Sequence, residues 1–287
     1  MSLAGKDKVG AALKILAKSY GIYFNGLALV SKETAAKAAF SLFSTPRKGR
    51  LLAQQKSYLD QFTQEKVLVA DHQLQTYHWK GSKPTVLLCH GWESNAFRWR
   101  NLIEKLQSAD FNIIVFDAPA HGASSGKHLH VPIYESCATA LIAKYKPTHV
   151  VGHSIGGLSV LYSQYKTPQE SVKKLVSLGA PSELSEIMNN YQRLLGFNNR
   201  VLEAMDAYFK KRFAFGIGEF SMSTLAKDIK TEGLLVHDIE DKIAPYSAAV
   251  RIQKNWKKSQ LISTQGLGHS LHQEDVNNKI ISFLEAS

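Results

Sequence analysis

Past residue 64 the chain reads as short apolar runs separated by helical patterns. The segment KVLVADHQLQTYHWKG (66–81) alternates apolar and polar positions and predicts two antiparallel strands. Six further β-rich runs follow: TVLLCHG (85–91), FNIIVFDAP (111–119), THVVGHS (148–154), KKLVSLGAP (173–181), GLLVHD (233–238) and SQLIST (259–264). Between them lie FRWRNLIEKLQSA, YESCATALIAKYK and GGLSVLYSQYK, and NKIISFLEA closes the chain, all with apolar residues at helical spacing. Nearly continuous β-type runs alternating with helices imply an α/β protein with a parallel sheet covered on both faces. Residues 182 to about 228 break the rhythm with Leu-, Tyr- and Phe-rich helical sequence, which predicts an inserted helical cap. Leu194, Leu195, Phe197, Leu202, Met205, Tyr208, Phe209 and Phe213 give it an apolar stripe, suited to line an acyl pocket or to anchor the cap.

Residues 1–60 predict helices. Val9, Leu13, Leu16, Tyr20, Tyr23 and Leu27 recur at spacings of three and four, with Lys8, Lys14 and Lys18 off that stripe. A second, Ala-rich pattern (Ala35, Ala36, Ala39, Phe40, Phe43) ends before STPRKGR, where Pro46 and Gly49 break it. The expected organisation is a helical extension (1–60) followed by one α/β domain (61–287) carrying the cap.

Charge changes the picture at the N-terminus. Of a net +11, residues 1–60 carry +7, with ten Lys/Arg against Asp7, Glu33 and Asp60. The expected role of that segment is to pack on the main domain with its lysines solvated. The alternative is peripheral contact with an anionic membrane, at its inner face. No recognition-fold signature for nucleic acid accompanies the charge. No run reaches the roughly 18 apolar residues that a membrane span needs, and the N-terminus does not read as a signal peptide. Cys89 and Cys137 both sit in apolar segments and read as free core thiols, which points to a reducing, cytoplasmic setting. Hydrophobic content of 44% with 21% charged residues suits a globular enzyme.

The chemistry concentrates in VVGHSIGGLS (150–159). A strand, then Gly-x-Ser-x-Gly, then a helix describes a strained turn that presents Ser154 as a nucleophile. Gly152 and Gly156 are expected where strand and helix approach too closely for a Cβ. A serine hydroxyl needs a base, and the base needs a carboxylate to fix its tautomer. After the elbow, HDIEDKIAP follows a strand and GLGHS follows the last strand, so His269 is the expected base. Asp238, Glu240 and Asp241 are the candidate acids. Asp241 is favoured because it lies three residues past the strand end, with Asp238 as the alternative. The backbone N–H of Ile155 and of Trp92, in the loop HGWESN, are the expected oxyanion donors. His90 and His121 read as structural.

With these residues assembled, the chain from about residue 65 resembles the α/β-hydrolase family, on its serine-hydrolase, esterase- and lipase-like branch. HGW (90–92), DAPAHGASSG (117–126), GHSIGG (152–157), HDIEDKIAP (237–245) and GLGHS (266–270) carry the resemblance in order. It implies a mostly parallel eight-stranded sheet flanked by helices, with the site at its carboxyl edge. It assigns Ser154 as nucleophile, Asp241 as acid, His269 as base and Trp92 and Ile155 as oxyanion donors. Asp238 stands where relatives commonly have Gly, and residues 1–60 have no counterpart in the minimal fold. The implied activity is hydrolysis of a small-molecule carboxylic ester with an apolar acyl part, without metal or organic cofactor. A thioesterase, a lipase-like enzyme, or a ligand-binding protein with little turnover are the alternatives.

Overall fold

The structure is a computed structural model that describes residues 3–286, with side chains from residue 12 onward. Among the described residues, eight strands form one sheet in the order β1-β2-β4-β3-β5-β6-β7-β8. β1 (Thr63–Val69) and β2 (His72–Trp79) make a hairpin with Val69 opposite His72, and β2 also runs antiparallel to β4. β3 (Lys83–Cys89), β4 (Phe111–Phe116), β5 (His149–His153), β6 (Lys174–Leu178), β7 (Glu232–Asp238) and β8 (Ser259–Thr264) run parallel to one another. The helices, in chain order, are α1 (Leu3–Val30), α2 (Lys32–Ser44), α3 (Ala53–Leu59), α4 (Arg100–Ser108), α5 (Val131–Tyr145) and α6 (Ile155–Lys166). Then come α7 (Leu184–Leu195), α8 (Asn199–Phe213), the short α9 (Met222–Leu225), α10 (Tyr246–Asn255) and α11 (Glu274–Glu285). The eight-stranded, mostly parallel sheet is the one the sequence implied.

Position in the sheet explains the sequence texture. In the central β5 and β6 every residue is buried, so both read as unbroken runs. β1, at the edge, alternates exposed and half-buried positions. One face of the sheet buries Leu88, Val115 and Val236 against Trp99, Ile103, Ile280 and Leu284 from the flanking helices. Parallel strands joined by helices leave every strand-to-helix loop at the carboxyl edge, where the candidate site residues lie.

The chain sorts into two compact units. One comprises the chain up to Thr45 with Glu183–Ser221, the other Pro46–Ser182 with the chain from Met222 on. The second holds the sheet. In the first, the N-terminal helices and the inserted helices build a common core. The Phe40 ring lies 5.3 Å from Tyr208, 5.5 Å from Phe209 and 5.7 Å from Phe213. The Tyr191 hydroxyl donates to the Ala39 carbonyl at 2.9 Å. Ser31 caps α2 and Asn198 caps α8, each accepting from a backbone N–H three residues on. Leu195, Phe197, Met205 and Phe209, offered by the sequence either as pocket lining or as anchors for the cap, are buried inside this unit.

The buried face of α1 differs from the expected stripe. Gly21, Phe24 and Ala28 face inward, whereas Leu13, Leu16 and Tyr23 are exposed. Lys8 and Val9 lie outside the residues with described side chains. Gly21 decides the orientation: a Cβ there would sit 2.2 Å from the Leu195 carbonyl oxygen, so the helices meet along a line that a side chain would block.

Candidate active site

β5 delivers Ser154 to the carboxyl edge, and α6 begins at the next residue. Ser154 has φ +54° and ψ −123°, a left-handed backbone that is uncommon for a residue with a side chain. Its N–H donates to the Leu178 carbonyl at 2.8 Å, tying the turn to β6. The neighbouring glycines are sterically required. A Cβ on Gly152 would lie 2.7 Å from the Gly157 backbone, and one on Gly156 would lie 2.4 Å from the His90 carbonyl oxygen. Gly156 thus seats the helix start against the end of β3, a contact more distant than the strand–helix approach expected from sequence.

Three residues far apart in the chain meet here. His269 Nε2 is 3.0 Å from Ser154 Oγ, and its Nδ1 is 2.7 Å from Asp241 Oδ2. Asp241 also accepts at Oδ1 from the N–H groups of Ile243 (2.8 Å) and Ala244 (3.1 Å), and His237 Nε2 stands 3.3 Å from Oδ2. Burial would raise the Asp241 pKa, but the hydrogen bonds from His237, His269, Ile243 and Ala244 outweigh it and hold the carboxyl well below the usual range. An ionised Asp241 takes the Nδ1 proton of His269 as a hydrogen bond, leaving Nε2 free to accept from the serine.

Asp238, the alternative acid, is occupied elsewhere. Its Oδ2 accepts from Thr264 Oγ1 (2.8 Å) and Leu267 N–H (2.9 Å), and its Oδ1 from Glu240 N–H (3.0 Å). It fastens the loop after β7 to the loop that carries His269. A carboxylate where relatives commonly have Gly is therefore a tie between two loops.

Gly91 places the loop after β3 beside the serine, since a Cβ there would meet Ser154 Cβ at 3.2 Å. Trp92 follows directly, with its indole edge-on to His121 at 5.7 Å. His121 Nδ1 pairs with the Pro119 carbonyl at 2.9 Å and its Nε2 accepts the Glu93 N–H at 3.0 Å. His90 pairs through Nδ1 with the Gly91 carbonyl at 2.7 Å and accepts the Ala118 N–H at Nε2, 2.9 Å away. Both histidines brace the loops around the serine through backbone groups.

Four residues near the serine escaped the sequence reading. His237 reaches the acid from the end of β7. Gly179, with φ +57°, brings the loop after β6 to within Cβ-contact distance of His269 and Asp241. His153 Nε2 donates to the His269 carbonyl at 2.8 Å, and an Arg98 guanidinium nitrogen donates to the Ser270 carbonyl. Consecutive carbonyls of the His269 loop are thus held from two other elements. Burial, with Arg98 and His269 nearby, keeps the His153 pKa well below its ordinary value, while burial and Arg100 push Arg98 down to about 9.

A family model described as the alpha/beta hydrolase fold matches residues 84–273. The chain is 30% identical to the pimeloyl-acyl-carrier-protein methyl ester esterase of Vibrio parahaemolyticus over 149 residues, 50% of this chain and 54% of that protein. It is 33% identical to a serine hydrolase-like protein of Homo sapiens over 126 residues, 42% of this chain and 61% of that one. The chain spans about half the length of the first of these relatives. Among solved structures it is similar to Est1E of Butyrivibrio proteoclasticus with ferulic acid bound (TM-score 0.63, 20% identity, 77% of this chain and 97% of that one). It is also similar to alpha/beta hydrolase domain-containing protein 10 from mouse (TM-score 0.61, 17% identity, 78% and 97%). Those structures share the fold. With the family model extending from β3 to the threshold of α11, the chain belongs to the alpha/beta hydrolase fold family.

Proposed function

We propose that this protein hydrolyses a small-molecule carboxylic ester through an acyl-enzyme on Ser154. The observation that supports the reading best is the unbroken hydrogen-bond chain from Ser154 Oγ through His269 to Asp241, at 3.0 and 2.7 Å. His269 Nε2 takes the hydroxyl proton as Ser154 Oγ bonds to the substrate carbonyl carbon. The backbone N–H groups of Trp92 and Ile155 receive the negative charge that develops on the carbonyl oxygen. Collapse of the tetrahedral species breaks the ester C–O bond, and His269 passes its proton to the departing alkoxide. Water then attacks the acyl carbon with His269 again as base, releasing the acid and restoring the serine. The reaction needs side chains, backbone and water alone.

The esterase names of the curated relatives support an ester over other acyl compounds. Ile239 and Ile243, both exposed on the loop that bears Asp241, offer apolar surface for an apolar acyl part. The test is a panel of chromogenic carboxylic esters of increasing acyl length, with matched thioesters, on wild type and Ser154→Ala. Turnover of the esters that falls by about 10⁴-fold or more in the variant is the expected result. Equal rates in the two proteins, or turnover of thioesters alone, would refute it.

A further inference from the structure

We propose that the outward face of α1 docks on an anionic lipid bilayer, with the helix lying in the plane of the headgroups. On its inner side α1 packs within the helical unit through Gly21, Phe24 and Ala28, with Phe24 6.5 Å from the Phe197 ring. The opposite side is apolar and open. Ile15, Ile22 and Leu29 follow one another at seven-residue intervals, and each is more than two thirds exposed. Leu16, Tyr23 and Val30 form the adjacent line, also exposed, with Val30 at 90%. Ser19 and Gly26 lie between the two lines, and a Cβ on Gly26 would meet nothing. A continuous apolar strip of this kind marks an interaction surface.

The charges identify what covers it. Residues 8–32 contain Lys8, Lys14, Lys18 and Lys32 and not one Asp or Glu. Helical geometry puts Lys14 and Lys18 along one border of the strip, although Lys18 Nζ also donates to the Arg193 carbonyl at 2.9 Å. A second copy presenting the same face would bring lysines toward lysines, Lys6, Lys8, Lys14 and Lys18 on each helix against the single carboxylate of Asp7. Anionic headgroups supply that charge, and acyl chains beneath them accept the isoleucines and leucines. Tyr23 suits the boundary between the two. Among the described residues no helix is long and apolar enough to cross a membrane, so the geometry calls for a helix on the surface.

The test uses the full chain with vesicles of phosphatidylcholine alone or mixed with phosphatidylglycerol. Wild type should co-sediment with the mixed vesicles, and raising salt to about 0.5 M should weaken that binding several-fold. The double variant Ile22→Asp/Leu29→Asp should stay in the supernatant with its thermal melt unchanged, because both side chains point away from the core. Should that variant misfold, Tyr23→Trp gives a second readout, a blue-shifted emission on adding mixed vesicles. Wild type left in the supernatant, equal sedimentation of the double variant, or unshifted emission would overturn the proposal. So would a dimer in light scattering that Ile22→Asp dissolves while vesicles bind neither protein. Ester turnover enters none of these readouts, so they stand or fall apart from the hydrolase reading.

Discussion

Two carboxylates three residues apart hold different posts around His269. Asp241 touches the imidazole at 2.7 Å, whereas Asp238 spends its oxygens on Thr264, Leu267 and Glu240. The proposed mechanism therefore separates their variants. Asp241→Asn should lower kcat by about 10³–10⁴-fold, because an amide no longer enforces the Nδ1–H tautomer. Asp238→Asn should cost roughly 1–3 kcal/mol of stability and leave kcat within about tenfold. Steady-state kinetics with urea unfolding of both variants decides it, and a kcat loss in Asp238→Asn equal to that in Asp241→Asn would reverse the roles. The position of Asp241 was legible from its distance past the strand end. His237 was not, because the last residue of a buried strand reads as packing until its neighbour across the turn is known.

At the scale of elements, all eight strands were readable, since buried parallel strands leave unbroken β-branched runs and the hairpin leaves alternation. The pairing of α1 and α2 with α7 and α8 was not. Its contacts join residues far apart in the chain, such as Phe40 with Tyr208, and no local pattern encodes them. α1 adds a second difficulty: spacing picks out one stripe, through Leu13, Leu16 and Tyr23, whereas the close approach at Gly21 turns another face inward. The shared core makes a cooperative unit. Phe40→Ala should destabilise it by about 3–5 kcal/mol. Hydrogen exchange should then show residues 12–45 and 183–221 losing protection together while the sheet retains its own. Loss confined to α2 would contradict a common core.

For the molecule as a whole, buried neutral histidines predict an acid-sensitive fold. Burial, with His121 beside it, pushes His90 down to about 3, and burial also depresses His153. Once unfolded, each would take up a proton near the ordinary value of about 6.5. Between those limits the unfolded chain binds more protons, so stability falls as pH drops below about 6.5. The slope is up to about 1.4 kcal/mol per pH unit for each histidine. His90→Gln should flatten the dependence of the urea midpoint on pH between about 6 and 4, whatever it does to the midpoint at neutral pH. An unchanged slope would mean that His90 does not titrate with unfolding.

The central claim is that Ser154 is a nucleophile activated by His269. It is tested most directly by reaction with a fluorophosphonate, located by peptide mass spectrometry, because such a probe reports an activated serine whatever the natural ester is. In wild type the label should appear on the peptide containing Ser154. It should vanish in Ser154→Ala and form far more slowly in His269→Ala. A folded wild type that takes no label, or a His269→Ala protein labelled as fast as wild type, would contradict the account.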